Sequence, residues 1–461
     1  MSRFRPADLL HSRNTTSGAH AVSSGPPNSP DSTSTTGAFP GSAHTARLWD
    51  ILRRPASVEE RNQRNVVIDA IGVGITAGVG SFLSVFLVRL GASSFLVGLL
   101  TAMPALTGML LAMPVGEFLS RRPNIVPWFA RARFLVLSSY LFTGLVPFLV
   151  QDHRPEAIIA IWAAATVPQT IVSVSFTVVM GGVAGPRGRF TLMSRRWSIL
   201  GLTNALTVAI VGQALKLFAF PLNYQVVFIA SAVGTLISVI FSSSIKLPTR
   251  QTPPPSSGSL IQTYRAHGKT LRANRRFVNF TISQFVLRSG LSLAIPLLPL
   301  YWVRVVGASD TAIGAINSTQ TIVMMVSYFI WTRVSQRRGE RWVLLAAALG
   351  ISFYPLLTAL TRQVELLVLW AGLAGLFIAG IDLVFFDIVL STCPADQQAA
   401  YIGIYQTTVY VAAFVAPMAG TALADLIGIA PTLILAAVVR LAGFALLAWL
   451  GVGKTETTAV P

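Results

Sequence analysis

The sequence predicts an all-α integral membrane protein with twelve transmembrane helices in two pseudo-symmetric six-helix halves. The first observation is composition: 53% of the 461 residues are hydrophobic and only 11% are charged. Soluble domains have about 25% charged residues, so most of this surface must face lipid. The second observation is a series of twelve apolar runs, each near the roughly 20 residues that a helix needs to cross a bilayer. The third is a motif that occurs once in each half.

The repeated motif consists of Gly-Ala-Ser, a further glycine, a long apolar run and two arginines, and its copies align without a gap. Each copy also has Val-Arg just upstream, at Val88-Arg89 and at Val303-Arg304, with a slip of one residue between the copies. A duplicated array of apolar helices is typical of secondary transporters, whose substrate site lies between the repeats. The copies are Gly91-Ala92-Ser93, Gly98 and Arg121-Arg122 in the first half, and Gly307-Ala308-Ser309, Gly314 and Arg337-Arg338 in the second.

The apolar runs follow one another with short polar connections, except for one longer polar segment in the middle of the chain. This order predicts a disordered cytosolic tail (1–62), a first half (63–245), a cytosolic linker (246–276), a second half (277–453) and a C-terminal tail (454–461). The first tail is rich in Ser, Thr, Gly and Pro, and such a segment buries too little apolar surface to fold. We place the spans at 66–89, 95–119, 126–150, 157–183, 197–217, 224–244, 277–302, 311–331, 342–361, 366–391, 402–424 and 430–452.

Lysine and arginine residues are concentrated in alternate loops, and this asymmetry predicts the orientation in the membrane. If the N-terminus is in the cytosol, the external loops contain only Arg89, Arg154, Arg304 and Arg362. We therefore expect both termini and the linker to be cytosolic and the chain to lie in the plasma membrane. The same placement accounts for the net charge of +18 without a nucleic-acid partner.

Cysteine and histidine usage argues against metal and redox sites. Cys393 is the only cysteine, so an intramolecular disulfide is excluded. The histidines fall in predicted tails and loops, and no Cys/His cluster has the spacing of a structural zinc or iron–sulfur site. We therefore expect no metal and no cofactor.

Three short segments follow a known pattern. Glu117 and the following Arg121-Arg122 correspond to the acid and the basic pair in a short loop between a second and a third span. In the second half Arg333 stands in the place of the acid, and Pro417-Met418-Ala419-Gly420 is similar to a Pro-x-x-Gly bend. With the two six-helix halves, these segments resemble the major facilitator superfamily over roughly residues 63–453. The resemblance implies a central cavity lined by the first, fourth, seventh and tenth spans.

Two opposite charges lie at matched depth in the predicted seventh and tenth spans. At a rise of about 1.5 Å per residue, Arg288 lies roughly 16 Å and Asp382 roughly 14 Å from the inner membrane edge. Ionisable groups at such depth are costly, and they are functional candidates for that reason. Gln284 lies one helical turn from Arg288 on the same face. Given the cavity that the resemblance implies, we expect these three residues to bind substrate or to couple transport.

Other intramembrane polar residues have two interpretations each. Asp382 could instead neutralise Arg440 of the twelfth span, as a purely structural pair. Asp69 lies near the predicted cytosolic edge of the first span, so it either snorkels or pairs with a loop, or it couples protons. Gln169, beside Pro168, either faces the cavity or bonds a carbonyl group that a proline leaves free.

The predicted inner ends of the spans have acids near bases. Glu117 would pair with Arg187 or Arg189 in the first half, and Arg333 with Asp387 in the second, so that each half has one inner-gate pair. The alternative is ordinary basic cytosolic loops with incidental acids.

These features together predict a secondary active transporter rather than an enzyme. We expect it to be a monomer that moves a small-molecule substrate across the bilayer by alternating access, with proton coupling through Asp382 or Asp69, or with no coupling ion. A transport-inactive receptor or assembly protein on the same fold is the alternative. A lipid-processing enzyme is disfavoured because Asp382 and Asp387 point to different helix faces and no nucleophile–base set accompanies them.

Overall fold

The structure, a computed structural model, describes residues 55, 57–248, 274–392 and 398–453, and it describes only the backbone of 185–191, 386–387, 389–391, 398–400 and 402–403. The predicted tail up to residue 54, most of the linker and the C-terminal tail lie outside these residues. Within them, twelve helical segments are long and apolar enough to cross a membrane, and no strand occurs. The predicted all-α fold with twelve spans is confirmed. Spans 1 to 12 are Val58–Arg89, Ser94–Ser120, Val126–Leu149, Arg154–Ala184, Leu192–Ala214, Leu222–Ser243, Arg275–Val306, Asp310–Arg338, Glu340–Ala359, Val364–Phe385, Ile404–Ile427 and Ile429–Trp449.

Some helices differ in extent from the spans that they form. Spans 4 and 5 belong to one helical stretch, and the helices of spans 10 and 11 extend further toward each other. We call the face that holds Val58 the inner face and the opposite one the outer face, in line with the predicted orientation. The differing helices are Val58–Gly80 and Leu83–Arg89 in span 1, Arg154–Ala214 in spans 4 and 5, Leu222–Ala230 and Ala232–Ser243 in span 6, Arg275–Ala294, Leu297–Leu300 and the π-helical Tyr301–Val306 in span 7, Val364–Thr392 in span 10, and Gln398–Ile427 in span 11.

The repeated Gly-Ala-Ser motif forms the turn that starts spans 2 and 8. Gly91 and Gly307 have positive φ angles of 86° and 67°, which glycine adopts without a steric penalty. Two residues later, the hydroxyl groups of Ser93 and Ser309 accept hydrogen bonds from the backbone N–H groups three positions on, at 3.3 Å in both cases. A serine in this position caps the helix N-terminus. The motif is therefore a tight turn followed by an N-cap, built twice.

Glycines bring spans 1, 5 and 6 close together around the middle of span 1. A Cβ atom on Gly72 would overlap the backbone of Gly234 in span 6, and Gly74 and Gly78 lie against two threonines of span 5. Small residues four positions apart allow helix backbones to approach closely in a membrane. This packing places polar side chains of spans 5 and 6 beside Asp69.

Buried apolar residues form one cluster that joins the halves and two large clusters that each belong to one half. The shared cluster includes Phe86 and Tyr224 from the first half and Leu297 and Tyr301 from the second. The other two take their residues from the first half alone or from the second half alone. The halves therefore share a core at the outer face and have separate cores toward the inner face.

Candidate functional site

Arg288 and Asp382 lie near each other, but within the described residues they form no ion pair. The Tyr328 hydroxyl of span 8 and the Arg288 guanidinium both lie near enough to the Asp382 carboxylate to interact with it electrostatically. Arg288 also lies with Nη2 3.5 Å from the Tyr405 hydroxyl, and its guanidinium carbon is 5.3 Å from the centre of the Phe385 ring. Four spans, 7, 8, 10 and 11, thus contribute to one polar cluster inside the second half.

Gln284 extends this cluster by one helical turn. Its side chain is fully buried, and its Nε2 donates to Thr408 Oγ1 at 2.9 Å. Gln284 Oε1 and Arg288 Nε are buried, and neither has a hydrogen-bond partner among the described residues. Buried polar atoms are rarely left unpaired, because each loses its hydration without replacement. Among the described residues, the cluster therefore has one unpaired hydrogen-bond acceptor, Gln284 Oε1, and one unpaired donor, Arg288 Nε.

Asp382 is exposed although it lies well inside its span. A carboxylate in contact with lipid would be very costly, and this one faces Arg288 and Tyr328 on the neighbouring spans. We conclude that Asp382 borders an open space between the helices. Its backbone neighbours Ile381 and Val384 are buried, as expected for the opposite faces of a packed helix.

Arg440 lies in a separate environment. It is 3% exposed, and its guanidinium donates to the carbonyl oxygens of Gly290 at 3.1 Å and Ile351 at 2.9 Å. A side chain on Gly290 would overlap Arg440. Arg440 forms no ion pair within the described part of the chain, and it joins spans 7, 9 and 12 through neutral carbonyl groups.

Asp69 is the centre of a second buried cluster, and the expectation that it snorkels or pairs with a loop is wrong. Its side chain is 1% exposed, and its carboxylate lies 2.6 Å from Arg133 Nη1 in span 3 and 3.5 Å from Arg196 Nη2 in span 5. The Ser238 hydroxyl in span 6 donates to it at 2.6 Å. Asp69 thus joins four spans inside the first half.

The error came from the predicted start of span 1. Ser57 caps the helix by accepting a hydrogen bond from the backbone N–H of Glu60 at 3.1 Å, so the helix begins at Val58 rather than at residue 66. Asp69 then lies roughly 16 Å along the helix instead of at its edge. Sequence reasoning also missed Arg133, although it is an ionisable residue in a predicted span, and it assigned the buried Arg196 to a loop.

The remaining sequence candidates are not brought into these clusters. Gln169 is exposed on span 4 and has no hydrogen-bond partner among the described residues. Glu117 is exposed and forms an ion pair of 2.5 Å with Arg121 on its own helix, and Arg333 is exposed. The other gate candidates, Arg187, Arg189 and Asp387, have side chains outside the described residues, so the inner-gate pairs remain a prediction.

At the outer face, an arginine of the first half crosses to the second half. Arg89 Nε lies 2.7 Å from Asp310 Oδ1, and Arg89 Nη2 donates to the carbonyl oxygen of Ala308 at 2.9 Å. The Tyr224 hydroxyl donates to the same Asp310 oxygen at 2.7 Å. Arg89 therefore binds the Gly-Ala-Ser turn of the other half and the acid that follows it.

An arginine of the second half makes the equivalent contact with the first half. Arg304 Nη1 donates to Ser94 Oγ at 3.0 Å, and Arg304 Nη2 donates to the carbonyl oxygen of Ala92 at 2.5 Å. Each arginine of the duplicated Val-Arg thus binds the duplicated turn of the opposite half. We call this pair of contacts, centred on Arg89 and Arg304, the outer latch.

Further contacts close the outer face beside the latch. Thr311 Oγ1 donates to the carbonyl oxygen of Gly212 at 2.9 Å, and Gly98 lies against Thr421. With the shared apolar cluster, these contacts hold the outer ends of the halves together. The two halves are therefore joined at the outer face by polar and apolar contacts alike.

The second half of the chain, residues 280–460, matches the family model of the Major Facilitator Superfamily. The chain is similar to the staphyloferrin B transporter of Staphylococcus aureus, with 27% identity over 162 residues, 34% of this chain and 38% of that protein. It is also similar to the multidrug resistance protein MdtG of Proteus mirabilis, with 28% identity over 163 residues, 34% of this chain and 39% of that protein. The match therefore spans less than half of the length of either relative.

Two solved structures have a similar fold. One is a mutant of the nucleoside transporter NupG, with a TM-score of 0.68 and 11% identity over 85% of this chain and 99% of that one. The other is a bacterial homologue of the human lysosomal transporter Spinster in an inward-facing and occupied conformation, with a TM-score of 0.63 and 12% identity over 86% of this chain and 96% of that one. At these identities the likeness shows the fold alone.

Twelve spans in two halves, joined at one face, define an integral membrane protein with the architecture of a membrane transporter. The family model covers the second half, residues 280–460, and the fold shared with the NupG mutant extends over 85% of the chain.

Proposed function

We propose that the protein moves a small polar solute across the plasma membrane by alternating access, with the cluster of Arg288, Asp382 and Gln284 as its solute and coupling site. The observation that supports this most directly is a pair of opposite charges deep in the membrane, one of them exposed to an open space. Charges in that position are maintained against a substantial insertion cost. The neighbouring unpaired atoms of Gln284 and Arg288 offer an acceptor and a donor to a polar solute.

The closed outer latch and the separate inner cores support an inward-open state for the present conformation. In that state the site communicates with the inner face, while the outer face is sealed by both arginines of the latch. Rocking of the halves about the site would break the latch and close the inner ends. Such a transition is the minimum that alternating access requires.

Between the two acids considered for coupling, the contacts favour Asp382. Asp69 is enclosed by two guanidinium groups and a hydroxyl group, and its side chain has almost no exposed surface. Asp382 is exposed and faces one arginine, so its charge can change without leaving two buried cations unbalanced. If Asp382 takes up a proton, Arg288 loses its counter-charge and binds an anionic group on the solute more strongly.

The test starts from the purified protein and a thermal-shift screen against small carboxylates, nucleosides and cationic drugs. We expect one class to raise the unfolding temperature of the wild type, and Arg288→Gln and Asp382→Asn to remove that shift. Arg337→Gln is the matched control, because Arg337 is an exposed arginine outside the cluster. A shift that survives in both cluster variants refutes the site.

Flux into proteoliposomes then separates transport from the receptor alternative. A solute that shifts the unfolding temperature but is not moved would indicate a receptor on this fold. The charge swap Arg288→Asp with Asp382→Arg distinguishes two roles for the pair. Recovery of expression without flux indicates a pair that binds solute, and recovery of both indicates a structural pair.

A further inference from the structure

A cavity lies at the inner end of the second half, and neither Arg288 nor Asp382 lines it. It has a volume of about 1350 Å³ and lies between the inner ends of spans 7, 8, 9, 10 and 12. Phe280, two helical turns before Arg288 in span 7, forms one wall and packs against Phe385 and Tyr405. Phe280 and these two rings therefore lie between the cavity and Arg288, which contacts the same rings from the other side.

The cavity is basic and polar. Three arginines, Arg276, Arg338 and Arg341, and one acid, Glu340, line it. Arg338 stacks on the Trp342 ring at 4.7 Å, and Arg341 Nη2 donates to a backbone carbonyl at 3.4 Å. Both of these partners are neutral, so neither contact cancels the charge of its arginine. Guanidinium groups of this kind match the geometry of phosphate oxygens.

Two tryptophans place the mouth of the cavity at the membrane interface. Trp449 lines the cavity and is 81% exposed, and Trp342 is 43% exposed on span 9. Tryptophan is enriched where the hydrocarbon region meets the head groups. Above this level, the exposed apolar side chains of Phe353 on span 9 and Val438 on span 12 offer a surface for acyl chains.

We propose that this cavity binds the phosphate of an anionic phospholipid of the inner leaflet. Arg338 and Arg341 hold the phosphate oxygens, and the polar side chains of Asn279, Ser335 and Gln336 at the cavity wall accept or donate hydrogen bonds to the rest of the head group. Basic pockets between transmembrane helices at the cytoplasmic side are suited to such head groups.

Native mass spectrometry of the full-length protein tests this proposal. The protein is equilibrated with phosphatidylglycerol or phosphatidylcholine, and the bound lipid is counted on the wild type and on the double variant Arg338→Gln/Arg341→Gln. We expect the wild type to prefer phosphatidylglycerol and the double variant to bind it about tenfold more weakly, since charge-assisted contacts to phosphate are lost. Arg337→Gln, one residue away and outside the cavity, should bind like the wild type.

The charge-preserving variant Arg338→Lys/Arg341→Lys separates loss of binding from loss of folding. It should retain the preference for phosphatidylglycerol and the unfolding temperature of the wild type. Equal binding of the two lipids, or a double glutamine variant that binds like Arg337→Gln, overturns the proposal. Displacement of phosphatidylglycerol by millimolar inorganic phosphate would assign the site to a free phosphate, and that result would also overturn it.

Discussion

Given the two states proposed above, the outer latch makes a graded prediction about the balance between them. Arg89→Gln removes an ion pair with Asp310 and a hydrogen bond to Ala308, while Arg304→Gln removes two hydrogen bonds to neutral oxygen atoms. All of these contacts join the two halves at the outer face, so a state that is open at that face would break them. Each variant should therefore shift the population toward a state that is open at the outer face, and Arg89→Gln should shift it further.

The size of each shift follows from the exposure of the groups. The side chains of Arg89 and Asp310 are 27% and 16% exposed, so we assign about 1 kcal/mol to their ion pair and about 1 kcal/mol to the hydrogen bond to Ala308. The sum corresponds to a population change of about 30-fold. Arg304 is exposed, and screening by water reduces its two bonds to about 1 kcal/mol together, or about fivefold.

Distances between spin labels on the outer loops measure these populations. The labels replace Asp152 in the first half and Asp425 in the second, which are both exposed, in a Cys393→Ser background. We expect the wild type to give mainly the shorter distance, and Arg89→Gln to give a large population at a longer distance. Arg362→Gln, another predicted external arginine, is the control, because within the described residues Arg362 has no hydrogen bond to the other half.

Two outcomes contradict this reasoning. If Arg89→Gln and Arg304→Gln both match Arg362→Gln, the latch does not set the balance between the states. If Arg304→Gln shifts the population more than Arg89→Gln, the ion pair with Asp310 is not the stronger half of the latch. In the second case, the hydrogen bonds of Arg304 to a carbonyl and a hydroxyl group would contribute more free energy than the ion pair between Arg89 and Asp310.

Further predictions concern stability and organisation. Asp69→Asn should lower the free energy of unfolding by about 3–5 kcal/mol, because it leaves two buried arginines without a counter-charge. Adding Arg133→Met should restore part of that loss, and thermal unfolding in detergent that shows no restoration would argue against the cluster. Gly290→Ala should lower the unfolding temperature by displacing Arg440, whereas an unchanged temperature would mean that the helices adjust freely. Deletion of residues 1–45 should leave membrane insertion and flux largely intact, since that segment is too polar to pack, and loss of inserted protein on a membrane blot would contradict this. A C-terminal reporter should be active only in the cytosol, and activity outside would reverse the predicted orientation.

Hydropathy and repetition were sufficient to predict the architecture. The apolar runs predicted every span to within a few residues at most ends, and the duplicated Gly-Ala-Ser turn indicated two similar halves. The largest error, at the start of span 1, arose because the first helical turns are polar and are recognisable only from the cap at Ser57. Hydropathy measures what a segment buries in lipid, and it says little about a polar turn that packs inside the protein.

Contacts between distant spans could not be predicted in the same way. Asp69 and Arg133 were both present as charges in apolar runs, but which cation meets which acid depends on how helices pack, and the sequence does not specify that. The sequence also did not single out Tyr328 and Tyr405. A tyrosine in a span can face lipid, pack in the protein core or line a binding site. The two latch arginines were recognised as part of the repeated motif and as charges of the external loops, but their partners in the opposite half were not predicted.

The reciprocal form of the latch has a consequence for the way the two halves recognise each other. An interface in which each partner offers the same pair of features to the other has the geometry of a two-fold symmetric dimer, although here both partners belong to one chain. Each half therefore has an arginine that donates hydrogen bonds and a Gly-Ala-Ser turn that accepts them. We expect two halves made as separate chains to present the same arginine and turn to each other, and a shifted pairing to break these contacts.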